Sequence, residues 1–213
     1  GSVAERMFRP HVSCVRMTPD KKFVMVADLG VDQVKVYRIN ENDDTLMLVD
    51  TLPCDLESAP RHFIFSKDGR YMYLMYEVYT YETGKRAPKL EKIQTISTTG
   101  EKRLSQLTAA CAIRFSSDEK HLFCSNAGDD TVSIYKRDEE TGLLELICCL
   151  PISGEYPKDI AIFPDDQHIA SLNHETGSIT FFHIDYEKGL LVGSANPVRV
   201  DEPNCCAIVK VRG

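Results

Sequence analysis

The sequence predicts an all-β fold, a β-propeller of four-stranded antiparallel blades, with about four blades in 213 residues. Three observations point there. Asp20, Asp68, Asp118 and Asp165 mark a repeat with spacings of 48, 50 and 47 residues. A short apolar segment precedes each of them: 14–17, 62–65, 112–115 and 159–162. Three repeats then continue alike and end in an aromatic residue 17 positions after the Asp, at Tyr37, Tyr135 and Phe182. A period of this length, made of short strands broken by Asp and Gly turns, is that of a propeller blade.

The elements follow in order within each repeat. The segment before the Asp is the inner strand, and the Asp itself is a turn residue that caps through its own side chain. Second and third strands read as 23–28 with 32–37, 121–126 with 130–135, and 168–173 with 177–182. The connections to the fourth strands recur as Glu140-Thr141-Gly142 and Glu187-Lys188-Gly189, with Glu82-Thr83-Gly84 similar and Asn42-Asp43-Asp44 doing the same work without glycine. Fourth strands are expected at 46–52, 90–96, 144–150 and 191–200. No stretch sustains the i, i+3, i+4 apolar spacing of a helix. The polar segment 98–107 reads as a long surface loop, and Tyr37 and Tyr135 as core aromatics between blades.

Two irregularities stand out. In the second repeat the matching aromatic, Tyr81, lies 13 rather than 17 residues after Asp68, so about four residues are absent near Glu77-Val78. Either that hairpin is truncated or a stretch is left out of the chain. The chain also opens on Gly1-Ser2 and runs almost at once into a blade, a start that a removed tag or a native sequence would equally give. The whole of 1–213 is expected to form one propeller domain. Four blades close a ring only if their taper suits it. Otherwise an open blade face calls for N-terminal blades or for self-association.

Composition narrows the function. With 43% hydrophobic and 27% charged residues the chain is an ordinary globular protein. A net charge of −7 argues against nucleic acid, whose phosphates call for clustered Lys and Arg. No apolar run approaches the roughly 20 residues of a membrane span, and no secretory signal is visible. The eight cysteines form no CxxC, and the adjacent pairs Cys148-Cys149 and Cys205-Cys206 point to opposite faces if they lie in strands. They read as reduced thiols of a cytoplasmic protein. The six histidines show no HxH or HExxH spacing, so neither a metal site nor a cofactor is expected.

The motif residues resemble a known family. Pro10-His11-Val12-Ser13-Cys14 with Val26-Ala27-Asp28-Leu29-Gly30, Ala59-Pro60-Arg61-His62-Phe63, Ser125-Asn126-Ala127-Gly128, Tyr156-Pro157-Lys158-Asp159 and Glu202-Pro203-Asn204-Cys205 are similar to blades of the seven-bladed propeller lactonases. That family holds the cycloisomerase-type 6-phosphogluconolactonases and the carboxymuconate lactonizing enzymes. The resemblance covers essentially the whole chain and implies four C-terminal blades out of seven. It implies hydrolysis of a sugar-acid lactone, 6-phosphogluconolactone foremost, as in the pentose phosphate pathway. By it, His11, Arg61 and Glu77 are carried over as site residues. The chain departs from the family where many members have a second His (here Ser13) and an Arg (here Ala127).

The chemistry agrees with the residue types. Lactone hydrolysis needs a base to activate water and charge stabilisation for a tetrahedral oxyanion. His11 is one candidate base, since imidazole titrates near working pH, and Glu77 is the other. Arg61 suits a substrate phosphate or carboxylate through a bidentate fork. Lys158 shares a column with Arg61, seven residues before the repeat's Asp; Ser13 and Cys111 fill that column in the other repeats. Ser13, Arg61 and Lys158 are therefore the expected substrate-binding residues for a small anionic lactone. A salt bridge for Arg61 and a structural hydrogen bond for His11 stand as alternatives. So do two further functions: a non-catalytic propeller binding module, and lactone formation on a muconate-like dicarboxylate. With no Trp the chain is not a tryptophan–aspartate-repeat scaffold. Asp28, Asn126 and Asn173 are a thin ligand supply for calcium.

Overall fold

A computed structural model describes residues 9–40, 42–56, 58–75, 77–100 and 108–209. The Gly1-Ser2 start lies outside them. The described residues form sixteen strands and no helix, in four antiparallel four-stranded sheets. The first sheet is β1 (Val12–Met17), β2 (Phe23–Asp28), β3 (Gln33–Asn40) and β4 (Thr45–Pro53); the second is β5 (Phe63–Phe65), β6 (Tyr71–Leu74), β7 (Glu77–Glu82) and β8 (Lys89–Thr95). The third is β9 (Ala109–Phe115), β10 (His121–Ala127), β11 (Thr131–Arg137) and β12 (Leu144–Pro151). The fourth is β13 (Pro157–Ile162), β14 (His168–Asn173), β15 (Ser178–Asp185) and β16 (Leu190–Arg199). In each sheet the strands are adjacent in chain order, as the repeat predicts. The chain divides into two compact units, Gly1–Ile96 and Ser97–Gly213, each holding two sheets.

The repeated Asp makes the first turn of every sheet. Thr18, Ser66 and Ser116 donate their hydroxyls to Asp20, Asp68 and Asp118 at 2.6, 2.5 and 2.7 Å. The same carboxylates accept the amides of Lys22, Arg70 and Lys120. In the fourth sheet Phe163 stands where the hydroxyl would be, and Asp165 takes the amides of Gln167 and His168 and the His168 ring instead. The residue after each Asp is left-handed: Lys21, Gly69, Glu119 and Asp166 have φ of 59°, 71°, 58° and 55°. In the hairpins before the fourth strands, Gly142 and Gly189 take φ of 74° and 62°, while Asp44 does so at 55° with a side chain.

These turns make stability sensitive to acid. Partial burial pushes Asp20, Asp68 and Asp118 up, but their donors outweigh it and hold all three below the ordinary carboxylate value, Asp68 at about 2. The Gln167 amide and His168 hold Asp165 down as well. A carboxyl depressed on folding contributes stability above its unfolded value and loses it as pH falls through the folded value. The melting temperature is therefore expected to fall between about pH 4 and pH 2, and Asp68→Asn to flatten part of that limb. An acid limb identical in Asp68→Asn would place the loss elsewhere.

Each unit has its own core. In the first, Cys14, Phe23, Met25, Ala27, Val34 and Val36 pack against Phe63, Met72, Leu74 and Tyr79. In the second, Ala112, Phe123, Val132 and Ile134 pack against Ile160, Ile169, Phe182 and Ile184. The other face of the first sheet is open. Met17 pairs with Val24, Val24 with Tyr37 and Tyr37 with Leu48, an apolar row across all four strands. Met17, Leu46 and Leu48 are 49%, 52% and 53% exposed. Tyr37, in that row, is half-buried, and Tyr135 is buried and donates to the Ser97 carbonyl at 2.6 Å.

The structure adds detail at two of the segments singled out above. The segment at 98–107 begins as packed chain, since Thr99 is buried and the Thr98 carbonyl accepts from Asn126 and Ser133; residues 101–107 lie outside the described set. In the second repeat the connection is tight: Leu74 pairs directly with Glu77, and residues 75 and 76 lie between them.

Candidate functional site

The column that holds Ser13, Arg61, Cys111 and Lys158 has a structural basis. In β1, Val12 pairs with Asp28 and Cys14 with Ala27, which leaves Ser13 as an extra residue. The same bulge leaves out Cys111 in β9 and Lys158 in β13. Arg61 lies two residues ahead of the short strand β5. A bulge re-aims one side chain out of the ladder and recurs next to active sites. The chain reaches two of these positions by the same route. Ala59 and Tyr156 are left-handed, at φ of 46° and 58°, and each precedes a proline. Their amides donate to Asp32 and Asp130 at 2.8 and 2.7 Å. Each of those Asp residues stands 12 positions after its repeat's marker Asp. That recurrence was the available signal for two buttressing carboxylates that sequence reasoning passed over.

In the first unit, His11 is exposed, while its backbone is fixed at both ends. Its amide donates to Asp28 Oδ1 at 2.7 Å, and its carbonyl accepts from Leu29 at 3.1 Å. Asp28 also holds the Gly30 amide and the Lys35 ammonium. Burial pushes the Asp28 carboxyl up, but the His11 amide and Lys35 outweigh it and keep it below the usual range. Ser13 Oγ lies 3.3 Å from the Ala27 carbonyl and 3.2 Å from the Pro60 carbonyl. The serine therefore ties the lead-in of β1 to the residue before Arg61.

Arg61 is half-buried, and its buried Nε has no hydrogen-bond partner. Three other half-buried cations have partners: Lys35 is held by Asp28 at 3.1 Å, Arg114 by Asp159 at 2.7 Å and Arg38 by the Lys85 and Arg86 carbonyls. The salt bridge considered for Arg61 does not form among the described residues. Glu77 sits at the same end of the second sheet, in the row Phe63, Leu74, Glu77, Thr95. It is 2% exposed, and both its oxygens are engaged. Oε1 accepts from Lys92 Nζ at 2.9 Å and Oε2 from the Tyr79 hydroxyl at 2.8 Å. Lys92 also reaches Asp55 at 3.3 Å, and its hydrogen bond to Glu77 holds its ammonium above the usual value. Burial, and then the Glu77 bond, push the Tyr79 hydroxyl up. Burial and the Glu77 charge push the Cys54 thiol up to about 12, so it is no nucleophile.

In the second unit, Lys158 Nζ is 3.4 Å from His174 Nε2, 3.0 Å from Asn204 Oδ1 and 5.8 Å from the Tyr156 ring centre. All three neighbours are neutral or neutral-capable groups. The sequence reading missed His174, because no recurring position or spacing marks it. The three polar residues weighed for calcium serve the fold instead. Asp28 is spent as above, Asn126 donates to Thr131 and the Thr98 carbonyl, and Asn173 donates to Ser178 and Thr180. Among the described residues no group of three His, Cys, Asp or Glu is placed to hold a metal, and all eight cysteines are free. Cys205-Cys206 lie outside any strand. A cavity of about 510 Å³ lined by residues 120, 121 and 136–140, basic and acidic alike, lies at the other end of the third sheet and contains none of the expected site residues.

Repeated four-stranded antiparallel sheets, each with its strands in chain order, define the class: blades of the propeller type. Residues 1–208 match the family described as the seven-bladed β-propeller lactonases, and the chain belongs to it. It is 31% identical over 193 residues to an uncharacterized protein of Staphylococcus saprophyticus, across 87% of this chain and 54% of that protein. It is 26% identical over 205 residues to the 6-phosphogluconolactonase of Bacillus subtilis, across 94% and 58% respectively. The structure of the periplasmic gluconolactonase of Pseudomonas aeruginosa superposes with a TM-score of 0.84 at 27% identity, across 95% of this chain and 58% of that one. The chain thus spans little more than half the length of these relatives.

Proposed function

We propose that the chain belongs to an enzyme that hydrolyses a sugar-acid lactone, with 6-phosphogluconolactone as the first substrate to test and the pentose phosphate pathway as its setting. The observation that carries this is Arg61, a half-buried guanidinium with a buried, unpartnered Nε at the lead-in of an inner strand. A protein that leaves such a group uncompensated gains from an anion that fills it. His11 is the favoured base. Its backbone is pinned and its ring is exposed, whereas Glu77 must give up Lys92 or Tyr79 before it can take a proton.

In this scheme His11 takes a proton from water as the oxygen attacks the lactone carbonyl. The tetrahedral oxyanion then collapses, the ring C–O bond breaks, and the departing oxygen receives the proton. The new carboxylic acid ionises and releases one proton to solvent. We place the protein in a reducing compartment, the cytoplasm, on its eight free cysteines, unlike the periplasmic neighbour. The test is proton release from 6-phosphogluconolactone above the spontaneous rate, with and without EDTA. Turnover that survives EDTA supports the reading. A folded sample that binds 6-phosphogluconate without turnover would replace it with a binding module.

A further inference from the structure

We propose that His174 and Lys158 act together as a two-donor fork for a single oxyanion, a phosphate or carboxylate group. The proposal deepens the lactonase reading and rests on it for the substrate class. Three features of the second unit carry it.

The first is charge. Lys158 is half-buried, yet its ammonium faces an imidazole, an amide oxygen and an aromatic ring, with no carboxylate partner among the described residues. Another half-buried cation, Arg114 of β9, has both oxygens of Asp159, the residue after Lys158, at 2.7 and 2.8 Å. A partly desolvated ammonium held only by neutral groups lacks its counter-charge.

The second is the imidazole. His174 Nε2 can accept from Lys158 at 3.4 Å only if the ring proton sits on Nδ1. Nδ1 is buried and has no partner, so in that tautomer an N–H is orphaned. Orphaned buried N–H groups are rare, and unfilled acceptors less so. An oxyanion beside Lys158 reverses the preference. The proton moves to Nε2, and Nε2–H and Nζ–H both donate to the same anion. Nδ1 is then left with a lone pair, the lesser defect.

The third is placement. Lys158 is the residue that the β13 bulge turns out of the ladder, and the tied Tyr156–Pro157 turn fixes its approach. The Tyr156 ring lies 6.2 Å from the His174 ring and offers an apolar flank. Asn204 can present its NH₂ to the anion by an amide flip, since its oxygen now faces Lys158.

The experiment is ring-nitrogen NMR of His174 in the ¹⁵N-labelled protein, titrated with inorganic phosphate and separately with gluconate at constant ionic strength. The expected result is a proton on Nδ1 in chloride that moves to Nε2 at saturation. Lys158→Gln should abolish the shift, and His174→Gln should weaken binding about tenfold, the loss of one charge-assisted hydrogen bond. Circular dichroism verifies that both variants are folded. Response to phosphate at lower concentration than to gluconate assigns the fork to a substrate phosphate; the reverse assigns it to the product carboxylate. An unmoved tautomer, or binding unchanged in folded Lys158→Gln, overturns the fork. The two readings fail separately. A phosphate-driven shift in a protein without lactonase activity overturns the lactonase alone. Activity with a silent His174 overturns the fork alone.

Discussion

Arg61→Ala is expected to raise KM for 6-phosphogluconolactone about 100-fold while leaving the melting temperature nearly unchanged. A hydrogen bond to a charged group contributes roughly 1.5–3 kcal/mol, and a bidentate guanidinium–phosphate contact lies at or above the upper end of that range. Each ~1.4 kcal/mol is tenfold in affinity. The stability side follows from what Arg61 lacks. It has no ion pair among the described residues, and its buried Nε is unsatisfied, so its removal breaks no ion pair there and relieves one buried polar group, leaving only the packing of its stem to lose. If Arg61 grips a phosphate remote from the carbonyl, kcat changes little, because binding is then lost equally from ground and transition states. Arg61→Lys should recover part of KM, since it restores the charge without the planar fork. Steady-state kinetics beside thermal melts decide the matter. A variant that melts several degrees lower with KM intact would make Arg61 a structural residue.

How much of this was legible in the sequence depends on how local the cause is. The blades were legible because their turns are local. A Thr or Ser, an Asp two residues on and a left-handed residue next recur within five positions in three repeats. The column of Ser13, Cys111 and Lys158 was legible because a bulge recurs at a constant distance from that turn. What needed the structure was set by pairing across strands. Tyr135 repeats the pattern of Tyr37, but that its hydroxyl meets the Ser97 carbonyl, 38 residues earlier, could not be read from the repeat. His174 is one of six histidines until the β13–β14 register brings it beside Lys158. The environment of Glu77 was the hardest to foresee. The tight connection puts it at the first position of β7, and its cation arrives from β8, 15 residues later.

That environment leads to the second large effect. Lys92→Met is expected to destabilise the protein by about 2 kcal/mol, and more than Glu77→Gln does. The two partners are unequally buried: the Lys92 side chain is 38% exposed and that of Glu77 only 2%. Removing the lysine strands a carboxylate that water cannot reach, with only the Tyr79 hydroxyl to hold it. Removing the carboxylate charge strands an ammonium that already reaches Asp55 and solvent. Breaking a fully buried pair from one side costs roughly 3–5 kcal/mol, and the solvation of Lys92 brings this pair below that range. Glu77→Gln also keeps an oxygen for Tyr79, so its cost should stay near 1 kcal/mol, roughly the scale of one ordinary hydrogen bond. The double variant should then be more stable than Lys92→Met alone, because no buried charge remains. Urea unfolding of the four proteins reads this ordering directly. The same Glu77→Gln sample separates structure from catalysis. Lactone turnover that persists leaves Glu77 as the anchor of Lys92 and Tyr79 and His11 as the base. If turnover by a folded Glu77→Gln protein instead slows by about two orders of magnitude, the scale of a missing general base, that role passes to Glu77.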